Sequence, residues 1–341
     1  MATHDRQRLS MTTPSTRLSD SVVPTTDLKP LQLSTRSRRR LTLMRYVFRP
    51  LAWLLLRFSS QTFRINLTAR LARLGPLRGD YRDMRYRILE TSQGYVFGEP
   101  GSAGPALLYL HGGGFVLPVL PAMHLAFARR IKTELGAMAF VPDYRLAPLN
   151  PYPAALDDCE RAYDDLRARG VPPESIVLAG ESAGGNLVLA LLLRLKRRGK
   201  PLPCCAVAIS PFAELARIHA PPSRTDNAGR EAMLPPSLIQ GAMREYKGDA
   251  DGFDPELSPI RGDYTGCPPL LVQASDAEIL RDDAILVAQR AREHGVDVQL
   301  DLWPELPHAF PLLERRFPEA RQARMDIIDF IRRHLPGPRP A

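Results

Sequence analysis

The chain has 341 residues, 44% of them hydrophobic and 24% charged, so it holds material for a large core and is not collagenous, disulfide-stapled or wholly disordered. Its net charge of +9 is concentrated at one end: residues 1–90 carry 18 Lys+Arg against 6 Asp+Glu, and the rest of the chain 28 against 31. The body is therefore slightly acidic, which argues against a nucleic-acid-binding protein.

In chain order, residues 1–40 are polar and rich in Pro, Ser, Thr and Arg, and are expected to form a disordered basic tail. From Leu41 to about Gly75 apolar residues recur at helical spacing among arginines, which predicts amphipathic helices that Gly75-Pro76 ends. The span Leu41 to Phe58 is broken by Arg45, Arg49, Pro50 and Arg57 and does not predict a membrane helix.

Beyond Tyr86, short apolar runs alternate with longer helical stretches, the pattern of βαβ units and a mostly parallel sheet. Strands are predicted at Ala106 to Leu110, Ala137 to Val141, Ile176 to Ala179, Ala206 to Ser210, Leu270 to Ala274 and Val298 to Trp303. The intervening helices are predicted near Ala122 to Leu135, Pro153 to Arg169, Ala183 to Arg197, Ile279 to His294 and Pro318 to His334. Phe212 to Pro268 interrupts this alternation with Pro-rich turns and one helical patch at Pro236 to Tyr246, as an insertion does.

The strongest chemical signal is Gly180-Glu181-Ser182-Ala183-Gly184-Gly185, a G-x-S-x-G between a strand and a helix, the context of a nucleophile elbow. His111-Gly112-Gly113-Gly114 follows an earlier strand, and three consecutive glycines let backbone N–H groups converge on a developing oxyanion. The alternatives for the second motif are a plain glycine turn or a phosphate loop, but neither a G-x-G-x-x-G order nor a Walker lysine is present.

Serine hydrolysis also needs a carboxylate and a histidine after the nucleophile. Asp276 stands at the carboxyl end of one strand and His308 follows the last, both at the sheet edge where α/β active sites form. Asp282 and Asp283 compete as acids but are expected to face solvent; His124, His219, His294 and His334 compete as bases. The four cysteines, Cys159, Cys204, Cys205 and Cys267, form no CxxC pair or metal-ligand cluster and read as reduced thiols, as in a cytoplasmic protein.

Together with Asp143-Tyr144-Arg145-Leu146-Ala147-Pro148, Ser275-Asp276 and His308-Ala309-Phe310, these motifs resemble the hormone-sensitive-lipase-like (bacterial family IV) branch of the α/β-hydrolase fold over roughly residues 85–335. The resemblance implies a mostly parallel central sheet flanked by helices, with a helical cap at 41–85 and 212–265 and a catalytic domain at 86–211 and 266–335. It also implies Ser182 as nucleophile, Asp276 as acid, His308 as base, and the N–H groups of Gly113, Gly114 and Ala183 as oxyanion hole. The elbow departs from the common pattern in carrying Glu181 where many members have Asp or Thr.

The expected function is a serine carboxylesterase acting on short- to medium-chain acyl esters through an acyl-enzyme, without metal or organic cofactor. The alternatives are a lactone hydrolase with the same triad and a non-catalytic ligand-binding module on a hydrolase scaffold. The expected partners are a small ester or lactone, a second copy in a homodimer, and an anionic membrane surface touched weakly by the basic N-terminal segment. Asp143 and His111 are expected to brace loops, and Trp303 and Phe310 to pack.

Overall fold

A computed structural model describes residues 28–30, 32–51, 54, 83–99, 104–217 and 219–336. Most of the expected cap helices at 41–85, namely residues 52, 53 and 55–82, lie outside the described residues, as do residues 1–27 of the expected tail.

Eight strands form one sheet in the order β1-β2-β4-β3-β5-β6-β7-β8. They are β1 (Met84–Ile88), β2 (Gln93–Phe97), β3 (Ala106–Leu110), β4 (Met138–Pro142), β5 (Ile176–Glu181), β6 (Cys205–Ile209), β7 (Leu270–Ser275) and β8 (Val298–Trp303). Pairing is antiparallel for β1–β2 and β2–β4 and parallel from β4 through β8. The six predicted strands are all present, and the hairpin β1–β2 adds an antiparallel edge. The sequence of β1, with Arg85 and Arg87 beside exposed Tyr86 and Ile88, suits an edge and carries no continuous apolar run.

The parallel strands are buried on both faces because helices cover each side. Ala106, Leu108 and Leu110 of β3 enter one core and Leu107 and Tyr109 the other, the period-2 division of a strand. The longer helices among the described residues are α1 (Thr35–Leu43), α2 (Ala126–Leu135), α3 (Ala154–Ala168), α4 (Ala183–Arg197), α5 (Pro236–Lys247), α6 (Arg281–Glu293) and α7 (Pro318–His334). α4 is buried on every side from Ala183 to Leu195, as its apolar run of Leu, Val and Ala requires. The charge it buries, Arg194, is neutralised by Glu256 at 2.8 Å and Asp157 at 2.6 Å. Each leucine removed from water here is worth about 1.5–3 kcal/mol, so this central helix anchors the elbow at its N-terminus.

The disorder expected through residue 40 is corrected over its last third. Leu28 makes a parallel bridge to Leu302 at the sheet edge, Lys29 N donates to Leu302 O at 2.8 Å, and the Lys29 ammonium pairs with Asp301 and Asp326. Ser34 then caps α1 by accepting from Ser37 N, and the buried Ser37 hydroxyl donates to Glu319 of α7 at 2.8 Å. A few specific polar contacts hold a segment whose composition alone has too little apolar surface to order it.

Candidate active site

The elbow forms because two glycines permit a contact that no other residue survives. A Cβ on Gly184 would lie 1.9 Å from the carbonyl oxygen of Leu110, and one on Gly180 2.6 Å from that oxygen and from Gly184 O. Ser182 between them takes φ 57° and ψ −119°, a conformation costly for a non-glycine residue and found where function requires it. The strain is held by Ser182 N donating to Ile209 O of β6, and by α4 starting at the next residue.

The same close approach brings the glycine loop onto the first turn of α4. Gly113 and Gly114 have φ of 118° and 63°, so the chain turns back through left-handed conformations at both. Ala183 is the first residue of α4, and its N–H has no acceptor within the helix. The glycine loop and the first turn of α4 therefore meet at one end of the sheet. α5 of the insertion lies over them: a Cβ on Gly114 would lie 3.0 Å from Ala242 Cβ, and the Phe115 ring stacks on Tyr246 at 3.6 Å.

His308 is buried in the loop after β8, its N–H directed to Glu231 Oε1 at 3.5 Å and the following Ala309 N donating to Ser210 Oγ at 3.1 Å. The acid beside it is not the expected one. Glu278 Oε2 lies 2.8 Å from His308 Nδ1, fully buried, and its Oε1 accepts from Ser275 N at 2.9 Å, which folds the side chain back over the end of β7. Asp276 is directed outward: its Oδ1 accepts from Glu305 N at 2.7 Å and its Oδ2 from exposed Arg230 at 3.2 Å.

The physical reason is the turn at Asp276-Ala277. Asp276 N donates to Trp303 O, continuing the β7–β8 ladder, and the chain then bends so that the residue two positions on returns to the histidine. Nothing in the sequence reading singled out Glu278. The available signal was its setting, one carboxylate among Ala277, Ile279 and Leu280, a pattern that places an acid inside.

With Glu278 on Nδ1, Nε2 of the neutral ring carries the lone pair needed to take a proton. Burial alone would push the His308 pKa down, but the Glu278 hydrogen bond and the charges of Glu278, Glu231 and Glu181 outweigh it and raise the pKa above 6.5. Glu231 is itself buried and raised, by burial and by the nearby Glu278 charge, with the positive side of His308 opposing. It also accepts from Met233 N and, weakly, from Ile279 N, so the insertion touches both the acid loop and the histidine loop.

The other candidates have structural partners. Asp282 and Asp283, expected at the surface, are fully buried: Asp282 accepts from Ser223 N, and Asp283 Oδ1 accepts from Ala213 N, Glu214 N and Arg224, each at 2.8 Å. They fasten the insertion to α6, which is why the helix turns them inward. Asp143 accepts from Tyr86 OH at 2.9 Å, and His111 Nδ1 contacts Gly112 O at 2.7 Å, both bracing contacts. Trp303 and Phe310 are buried against each other at 5.6 Å. His294 lies beside Asp263 and Tyr264 N, His334 packs on Phe330, and His219 lines a hollow under α5. The four cysteines are free. Among the described residues no His/Cys/Asp/Glu group is arranged to hold a metal ion, and no helix is long and apolar enough to cross a membrane.

Residues 107–312 match the family model described as the alpha/beta hydrolase fold. An acetyl-hydrolase of Streptomyces hygroscopicus is 39% identical over 220 residues, 64% of this chain and 73% of its own. An esterase of Acinetobacter venetianus is 34% identical over 230 residues, 67% of this chain and 75% of its own. The crystal structure of an esterase from the bacterial hormone-sensitive lipase family aligns over 90% of this chain and all of its own, with a TM-score of 0.78 and 30% identity. The elbow, the glycine loop and the buried histidine–carboxylate pair thus stand on the fold of similar proteins named as esterases, and the chain belongs to the hormone-sensitive-lipase-like family of α/β-hydrolases and is a carboxylic-ester hydrolase.

Proposed function

We propose that the protein is a serine carboxylesterase in which Ser182 attacks the ester carbonyl, His308 takes its proton, and Glu278 holds the imidazole in the productive tautomer. The observation that carries this reading is the 2.8 Å contact from Glu278 to His308 Nδ1, at the sheet end that also presents Ser182 in its strained elbow. The N–H groups of Gly113, Gly114 and Ala183 receive the oxyanion. The alcohol leaves with the proton from His308, and water activated by the same histidine then hydrolyses the acyl-enzyme. The role first expected of Asp276 passes to Glu278 in this scheme.

Short acyl chains are the proposed substrates, a reading supported by the similar protein of Streptomyces hygroscopicus named as an acetyl-hydrolase. A fluorophosphonate probe followed by peptide mass spectrometry is expected to label Ser182 and no other residue; no labelling contradicts the covalent mechanism. A turnover panel running from acetyl to dodecanoyl esters, with several lactones, is expected to peak at the short esters; a preference for lactones contradicts ester specificity.

A second reading concerns the N-terminal helix and its continuation. Leu43, Val47, Leu51 and Leu54 recur at one helical face with Tyr46, each 50–70% exposed, beside exposed Arg36, Arg38 and Arg39, while Ser37, Leu41 and Met44 face the body. An apolar stripe edged by arginines suits weak contact with an anionic bilayer. Co-sedimentation with phosphatidylglycerol vesicles is expected to fall in a L43E/V47E variant; unchanged sedimentation rules this surface out.

A further inference from the structure

Tyr109, Gly112, His124 and Glu181 form a buried polar group beneath the glycine loop, and the triad uses none of them. Glu181 precedes the nucleophile, and its carboxylate reaches across to β3 and the loop beyond it. Oε1 accepts from Gly112 N and lies 3.2 Å from His124 Nε2; Oε2 accepts from the Tyr109 hydroxyl. The tautomer of His124 follows from its other nitrogen, which accepts from Leu120 N at 2.9 Å, so Nε2 carries the proton and faces Glu181 Oε1. Two hydrogen bonds and the facing His124 ring hold this buried carboxylate in place.

We infer that Glu181 is a positioning residue that sets the distance between the nucleophile and the oxyanion donors. Its backbone is continuous with Ser182, and its side chain grips the amide of Gly112, one residue before Gly113. Two loops from different strands are thereby registered by a single carboxylate. The grip explains why position 112 is glycine: a Cβ there would lie 2.7 Å from Glu181 Oε1. An Asp at position 181, one methylene shorter, is expected to lose one of the two contacts to Gly112 N and Tyr109. This inference rests on the serine-esterase reading above.

Charge enters as well. Burial pushes the Glu181 pKa up to about 7, against the Tyr109 and Gly112 hydrogen bonds that lower it. The titratable groups facing it are Tyr109 from β3, His124 from the turn before α2, Tyr144 from the segment after β4, and His308 across the site. Its negative charge also helps to raise the His308 pKa, with Glu278 and Glu231.

Glu181→Asp, Glu181→Gln and Gly112→Ala are compared with Ser182→Ala on p-nitrophenyl butyrate, with thermal melts to verify folding. Glu181→Asp and Gly112→Ala are expected to lose about 100-fold in kcat with KM within about threefold, the signature of misplaced transition-state donors. Glu181→Gln keeps an acceptor for Gly112 N–H and is expected to recover to within about tenfold of the parent, with the acid limb of its pH profile moved to lower pH because His308 loses a neighbouring negative charge. Folded Glu181→Asp with the parent's kcat, or Glu181→Gln as impaired as Glu181→Asp with an unmoved acid limb, overturns the inference alone. Full activity in Ser182→Ala overturns the esterase mechanism and this inference with it.

Discussion

Glu278 approaches His308 from inside the protein, its Oε2 2.8 Å from Nδ1, while Asp276, two residues earlier, is tied to Arg230 at the surface. A carboxylate shielded from water supports the imidazolium that forms during acyl transfer far better than one shared with an exposed guanidinium.

The two acids therefore separate in a mutational test. Glu278→Gln is expected to lower kcat/KM on p-nitrophenyl butyrate by about 10³–10⁴-fold, because one amide oxygen cannot accept from both Ser275 N and His308 Nδ1, and an amide N–H₂ turned to the ring selects the wrong tautomer. Asp276→Asn keeps a hydrogen-bond acceptor for Glu305 N and is expected to stay within about tenfold of the parent. The reverse ranking returns the role to Asp276.

The pH profile follows from the charges around His308. The ring must be neutral to accept the serine proton, and its pKa is raised above 6.5, so kcat/KM is expected to fall as pH drops through a midpoint above that value. Removing the Glu278 charge removes the largest influence raising that pKa. The residual activity of Glu278→Gln is expected to show an acid limb at lower pH, and an unshifted limb contradicts the assignment.

Asp283 tests how the insertion is held. It is fully buried and receives Ala213 N, Glu214 N and Arg224, so Asp283→Ala strands two backbone donors and a buried guanidinium. The expected loss of stability is about 3–5 kcal/mol in urea denaturation. A loss below about 1 kcal/mol would show that the pair does not secure the insertion.

The elbow glycines are expected to be intolerant. With 1.9 Å between a Cβ at 184 and Leu110 O, Gly184→Ala forces β3 away from α4 and the glycine loop away from Ser182. Activity is expected to drop by about 10²-fold or more even where a thermal melt shows a folded protein. Parent-like turnover contradicts the close approach.

The fold was legible wherever burial on both faces wrote continuous apolar runs. β3 and β8 have the expected ends, as do α4 and α7, and the other parallel strands differ by one or two residues. β1 escaped because an edge strand keeps polar residues that look like a loop, and β2 because its apolar run is only Tyr95 to Phe97. Ser182, Gly113, Gly114, Ala183 and His308 were expected from motif and from position at the carboxyl ends of strands, and the structure brings their segments to one edge. The acid was not legible in spacing, because Asp276, Glu278, Asp282 and Asp283 all follow β7 within two turns and only tertiary packing decides which one faces the histidine. Packing against the insertion likewise turned Asp282 and Asp283 inward, and specific contacts to Asp301, Asp326 and Glu319 ordered residues that composition assigned to a tail.

The central claim is that turnover runs through Ser182, and the direct measurement is steady-state hydrolysis of p-nitrophenyl butyrate by purified Ser182→Ala beside the parent protein. The mechanism predicts a fall in kcat of about 10⁴-fold or more with the fold intact. Hydrolysis by the variant at the parent's rate would contradict it.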